Sequence, residues 1–125
     1  MDTTFPEILS EEHKAILTAR RAYRAAMRDG IEVAGIRLAA RDRDRAMFAQ
    51  MLVLLREAEA ALPDEEARTA FLASPQVIAD VQGKVHSLPV SELRGLLISY
   101  GLAYQALWAA NRTPMPQPPD DPPVD

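Results

Sequence analysis

Apolar side chains recur at helical spacing from about residue 10 to 29: Ile16, Tyr23 and Met27 share a stripe with Arg20, and Ala19 and Ala26 lie beside it. Ser10 stands where an N-cap belongs, Glu11 and Glu12 occupy the positive end of the helix dipole, and Gly30 stands where a helix stops. The stripe is narrow and rich in alanine, with Arg21, Arg24 and Arg28 opposite it, so the helix is expected to rest on an apolar neighbour with its arginines outward.

The period then changes from 3.6 to two. Ile31, Val33, Ile36 and Leu38 alternate with Glu32 and Arg37 around Ala34-Gly35, the pattern of a half-buried hairpin in which Glu32 faces Arg37. Alanine suits a type I′ turn poorly, so a type I turn closed by Gly35 in a bulge is expected. From Asp42 or Asp44, either of which can serve as the cap, to Leu62 the helical period returns. Met47, Met51, Leu54, Leu55, Ala58 and Leu62 form one face, widened by Phe48 and Leu52, and Pro63 ends it. This reads as the central core helix.

A short helix is expected over 64–73, stopped before Pro75. A second glycine-centred hairpin follows, with Val77, Ala79 and Val81 alternating before Gly83, and Val85, Leu88 and either His86 or Ser87 after it. The last long helix starts at a Ser91 cap and carries the stripe Leu93, Leu97, Tyr100, Tyr104 and Leu107. Gly95 and Gly101 each cost roughly 1 kcal/mol relative to alanine there, which close approach of another element would explain.

The pattern predicts an α+β fold: a leading helix, then two hairpin-then-helix (ββα) units, with antiparallel strands covered by helices. The four strands form either one sheet or two small hairpins. The segment "TPMPQPPDDPPVD", with six prolines in thirteen residues, reads as an extended polyproline-II tail. The expected division is an N-terminal arm over 1–9, one domain over 10–112 and the tail over 113–125; a length of 125 residues suits one core.

Composition narrows the function more than it names it. There is no cysteine, which removes disulfides, thiolate nucleophiles and zinc-thiolate sites. No apolar run reaches the roughly 18–20 residues that span a bilayer, and the acidic start "MDTTFPEILSEEHK" reads as an intracellular product without a secretory leader. The net charge of −4 is unevenly placed: residues 1–56 carry 10 Lys/Arg against 8 Asp/Glu, and residues 57–125 carry 4 against 10.

The basic residues of the first half prompt a nucleic-acid reading. Arg20, Arg21, Arg24, Arg28, Arg37, Arg41, Arg43 and Arg45 are, however, interleaved with Asp29, Glu32, Asp42 and Asp44, so neighbouring pairs neutralise one another and nucleic acid is not the expected partner. His13 and His86 have no second ligand at metal spacing, and Ser91 beside His86 and Asp80 reads as a helix cap rather than a nucleophile. The carboxylates sit at helix starts or on solvated faces. No catalytic, cofactor-binding or metal-binding residue is assigned, and no cofactor is expected. The candidate partner-binding residues are Arg21, Arg24, Arg28, Trp108, Pro114, Pro116, Pro118 and Pro119. The tail is either a solubilising end or an arm whose prolines, already near a bound conformation, dock in an apolar groove.

The succession "DGIEVAGIRL" with its following Asp-Arg entry, then "IADVQGKVHSLPVSELRGLLISYGLAYQALW", resembles a family of small phage and prophage domains of unassigned function, encoded in tail modules and often attached to tail-fibre proteins. The matching features, over about residues 12–112, are a helix, a G-x-E-x-x-G-x-R-L hairpin, an acidic–basic helix start, a D-x-x-G-x-V-x-x-L hairpin and an E-L-x-x-L helix. The resemblance implies a non-enzymatic virion component at the tail tip, baseplate or fibre attachment, synthesised in the host cytoplasm. Its expected partners are other tail or fibre proteins in a multi-copy assembly, with no membrane contact. The alternative is a tail-fibre assembly chaperone absent from the mature particle.

Overall fold

A computed structural model of the chain describes residues 10–115. The fold is α+β and mostly helical, with four helices and two separate two-stranded antiparallel hairpins. Ser10 opens α1 (Glu11–Asp29) by accepting the His13 backbone N–H on its Oγ at 3.1 Å. Gly30 closes that helix at φ +99°, and no side chain could replace it: a Cβ there would stand 2.7 Å from the Leu38 carbonyl and 2.8 Å from Val81 Cγ1.

The first hairpin pairs β1 (Ile31–Val33) with β2 (Ile36–Leu38), and Glu32 does face Arg37, with 3.2 Å between their charged groups. Its turn differs from the expectation. Val33 pairs directly with Ile36, so the loop has two residues, and both are left-handed, Ala34 at φ +50° and Gly35 at +81°. A two-residue loop must match the right-handed twist of its strands; that demand overrides the steric preference of alanine, and no bulge forms.

Helix α2 (Asp42–Ala60) follows, then α3 (Glu65–Ala73), capped by Asp64 through the Ala67 N–H at 2.8 Å. The second hairpin pairs β3 (Pro75–Ala79) with β4 (Val85–Pro89), and its inward face is opposite to the one expected. Ile78 is buried while Val77 and Val85 are 64% and 62% exposed. With a period of two, displacing the alternation by one residue turns every side chain over, and the larger Ile78 takes the core side in preference to Val77 and Ala79. The hairpins touch without sharing a sheet: the Val81 N–H donates to the Arg37 carbonyl at 2.9 Å.

Helix α4 (Val90–Asn111) is the element around which the others pack, a place the sequence pattern gave to α2. It buries Val90, Leu93, Leu96, Leu97 and Tyr100, whereas α2 buries only Phe48 and leaves Met47 and Leu54 at least half exposed. The reason is rotational. Phe48 stacks edge-on against Tyr100 at 5.0 Å between ring centroids, which turns Met51, Leu52 and Leu55 toward the core and Met47 and Leu54 away. Burial pushes the Tyr100 phenol up to about 12, and its hydroxyl donates to the Ala39 carbonyl at 2.7 Å.

Two expectations for α4 are also corrected. Pro89, not Ser91, is the N-cap, because β4 runs directly into the helix; the Val90 N–H is satisfied by the Ser74 carbonyl at 3.0 Å, and Ser91 lies exposed in the first turn. Gly95 and Gly101 have no close neighbour, since a Cβ on either would meet nothing within 4 Å.

Candidate functional site: an arginine-rimmed hollow and an apolar groove

The Arg-Asp ladder at residues 41–45 resolves into three roles. Arg41 is the N-cap residue of α2, and Asp44 reaches back from the third helical position to accept its backbone N–H at 3.2 Å and its Nε at 3.1 Å. Neither Asp42 nor Asp44 therefore stands at the cap; they occupy the first and third helical positions. The acidic side chains favour the dipole and Asp44 serves the cap residue's own N–H, while the Arg41 side chain, a donor only, offers no acceptor to the first-turn N–H groups.

Arg45 is turned inward and is only 22% exposed. Its Nη1 donates to the Ala40 carbonyl at 2.6 Å and lies 3.5 Å from Met27 Sδ, its Nη2 meets Asp42 at 2.5 Å, and its guanidinium carbon stands 4.0 Å above the Tyr104 ring. One side chain thus ties the start of α2 to α1 and α4. Cation–π contact of this kind is worth about 0.5–2 kcal/mol, rising as solvent is excluded.

Arg43 points outward and has no carboxylate within 4.0 Å among the described residues. It borders an open hollow of about 520 Å³ lined by Tyr23, Met27, Arg41, Asp42, Arg43 and Arg45. Tyr23 and Tyr104 meet beside it with hydroxyls 3.4 Å apart, and that hydrogen bond, with partial burial, raises the Tyr104 phenol above its ordinary range.

None of the α1 arginines lines this hollow. Arg21 and Arg24 are exposed and unpaired with any described carboxylate, while Arg28 is held by both oxygens of Asp29 at 3.0 Å. That hydrogen-bonded pair raises Arg28 and lowers Asp29 from their usual values. Arg20 Nη2 donates to the Thr113 carbonyl at 3.3 Å, which brings the chain beyond α4 against α1. Trp108 is 40% exposed with the Arg112 guanidinium 4.6 Å above its ring, and Pro114 is exposed. Pro116, Pro118 and Pro119 lie outside the described residues.

A second surface is apolar. Leu52, Val53 and Arg56 of α2 face Arg94 and Ile98 of α4 across a hollow of about 240 Å³. A neighbouring hollow of similar size is lined by Phe48, Ala49, Leu52, Leu97, Tyr100 and Gly101, with Arg45 and Tyr104 at its edge. Val53 and Ile98 are 46% and 48% exposed, and Leu102, one turn beyond Ile98, is 62% exposed. An ion pair between Arg94 and Glu59 bridges the two helices at the end of the groove. This surface escaped the sequence reading, although its signal was visible: the run Met51 to Leu55 is apolar at every position, more than a single helical stripe can bury.

The polar residues weighed for catalysis are arranged structurally. Asp80 Oδ2 meets His86 Nε2 at 2.9 Å, and Asp80 Oδ1 accepts the backbone N–H groups of Gln82 and Lys84 at 2.8 and 3.0 Å, which fixes the turn at Gly83. The hydrogen bond with His86, joined by those N–H groups, holds the Asp80 carboxyl below its ordinary range. No hydrogen bond joins Ser91 to either residue among the described residues. His13 sits at the start of α1 with Nδ1 2.6 Å from Ser10 Oγ. Among the described residues, no three His, Asp or Glu side chains are grouped to hold a metal ion, and no helix is long and apolar enough to cross a membrane.

No protein-family model, curated protein or solved structure matches the chain at a significant level.

Proposed function

We propose that this chain is a non-enzymatic, structural component of a tailed phage or phage-like particle, placed at the tail tip, baseplate or fibre attachment and acting through contacts with other tail proteins. The observation that carries the contact role is the α2–α4 groove, where Val53, Ile98 and Leu102 stand together in solvent. Burying apolar surface is worth about 25 cal/mol per Å², so three such side chains on one face contribute substantially to docking. The tail location rests on the resemblance of the two hairpin-then-helix segments and their glycine turns to phage tail-module domains. The exposed Arg21, Arg24 and Trp108 give the same reading a second set of contacts.

Particles purified on a density gradient and examined by mass spectrometry provide the test. A structural component is found in them at a fixed ratio to the tail proteins. If the chain is absent from particles but bound to fibre protein in the cells that produce them, it is the assembly chaperone instead; if it is found in neither, both readings fall.

A further inference from the structure

The seam between α2 and α4 carries both a ridge and the hollows to receive one. The two helices run antiparallel, with Arg45 stacked on Tyr104, Phe48 against Tyr100 and Glu59 paired with Arg94. Two hollows of about 240 Å³ each follow one another along the seam and share Leu52; Ala49 and Gly101 line the first, Val53 and Ile98 the second. Beside them on α4, Leu102 projects with 62% of its surface in solvent and Ile98 with 48%. Charge is missing where the outer side of a surface helix carries it. Residues 95–111 contain no Asp, Glu, Lys or Arg, whereas α1 turns Arg21, Arg24 and Arg28 outward.

We infer that this face binds a second copy of the same chain, in a twofold dimer where the Ile98 and Leu102 ridge of each copy seats over the α2–α4 seam of the other. Shape, charge and size select a second copy over an unrelated partner. A ridge and a hollow on one surface are what an isologous contact requires, because each copy then fills the other. Side chains near a twofold axis meet their own counterparts, so a charge there would face its own sign. The α4 face has no such charge from Gly95 onward; Arg94 at its edge is neutralised by Glu59, and Arg56 stays at the exposed rim of the second hollow. Two packed helices with axes 8–10 Å apart present a face roughly 30 Å by 20 Å. With its side-chain relief, a face of that outline offers about the 800 Å² of accessible surface that each partner of a stable interface buries. The inference names the occupant of the groove and rests on the reading of that groove as a contact surface, not on the tail location.

Sedimentation equilibrium of the full-length chain tests the inference. The mass is expected to reach that of two chains by about 100 µM, since interfaces of this size bind with micromolar or tighter constants. Ile98→Asp with Leu102→Asp should weaken the dimer roughly 100-fold at unchanged helicity, because each copy would bury unpaired charges. Val77→Asp with Val85→Asp, which charges the exposed face of the second hairpin, should leave it intact. In a mixture of isotope-labelled and unlabelled chains, filtered NOEs should reach the Ile98 and Leu102 methyls from the other copy, a readout that needs no substitution. The inference is overturned if the chain keeps the mass of one copy at about 100 µM, if the groove variant dimerises as tightly as the unsubstituted chain, or if the NOEs fall on Val77 and Val85 instead. A single-copy chain that still enters particles through the groove would overturn the dimer and leave the functional reading standing; a groove-dependent dimer absent from particles would do the reverse.

Discussion

At the scale of single residues, two side chains hold positions that their chemistry disfavours or that the pattern of the chain hides. Ala34 is left-handed, a conformation that costs an L-residue other than glycine or asparagine about 1–2 kcal/mol. Ala34→Asn is therefore expected to stabilise the protein by roughly 0.5–1 kcal/mol, read as a higher urea midpoint at unchanged slope; an unchanged or lower midpoint would show that the turn is not strained. Arg45 was indistinguishable in sequence from its neighbours Arg41 and Arg43, yet it alone is turned inward. Arg45→Lys keeps the charge but loses the planar stack on Tyr104 and the geometry of the Ala40 bond, so a loss of about 1–2 kcal/mol is expected, against less than about 0.5 for Arg43→Lys. Local signals were legible where the cause is local: Ser10 as a cap, Gly30 as a stop and Glu32 opposite Arg37 all follow from side chains acting within a few residues. The Pro89 start of α4 was not legible, because the Val90 N–H is satisfied by the Ser74 carbonyl, sixteen residues away.

At the scale of elements, helix existence and extent followed from periodicity, but the choice of central helix did not. The α2 sequence offers apolar residues around most of its circumference, so its own pattern does not say which stripe faces inward; the Phe48–Tyr100 contact decides it. The same limit inverted the second hairpin, where Val77 and Ile78 are both good strand residues and only the core can choose between them. In α4, Gly95 and Gly101 stand in open space within a helix. Gly95→Ala and Gly101→Ala should each stabilise by about 0.5–1 kcal/mol in chemical denaturation, and a loss instead would mean that the glycines answer a steric demand within the fold.

The second hairpin should also respond to acid. The folded Asp80 carboxyl is held below its ordinary value of 3.8, so the ionised form favours the folded turn. That contribution is complete above the unfolded aspartate value and is lost as pH falls through the lower folded one. Exchange at the Gln82 and Lys84 amides, measured relative to the intrinsic rate at each pH and followed downward from pH 6, should accelerate only below about pH 4. Asp80→Asn keeps an acceptor for the two amides but removes the titration; acceleration of the same size and at the same pH in that variant would assign the effect to another group.

At the scale of the whole molecule, the core is gathered on α4 and the surfaces most ready for contact lie on its flanks. The apolar groove is formed where α2 packs against α4 without covering Ile98 and Leu102, and the basic face is formed where α1 meets the start of α2. The arginines of the basic face were legible as candidates because charge is conspicuous in sequence. The groove was not, because its exposure depends on how one helix is rotated against another. Ile98→Asp with Leu102→Asp places two charges where the proposed role needs apolar contact, at positions whose solvent exposure spares the core. The most direct measurement is the amount of this double variant, relative to the unsubstituted chain, in gradient-purified particles, with circular dichroism confirming equal helicity. Incorporation of the unsubstituted chain and at least a tenfold loss for the variant are expected; equal incorporation of the two, or absence of both from the particles, would rule out a structural role resting on the groove.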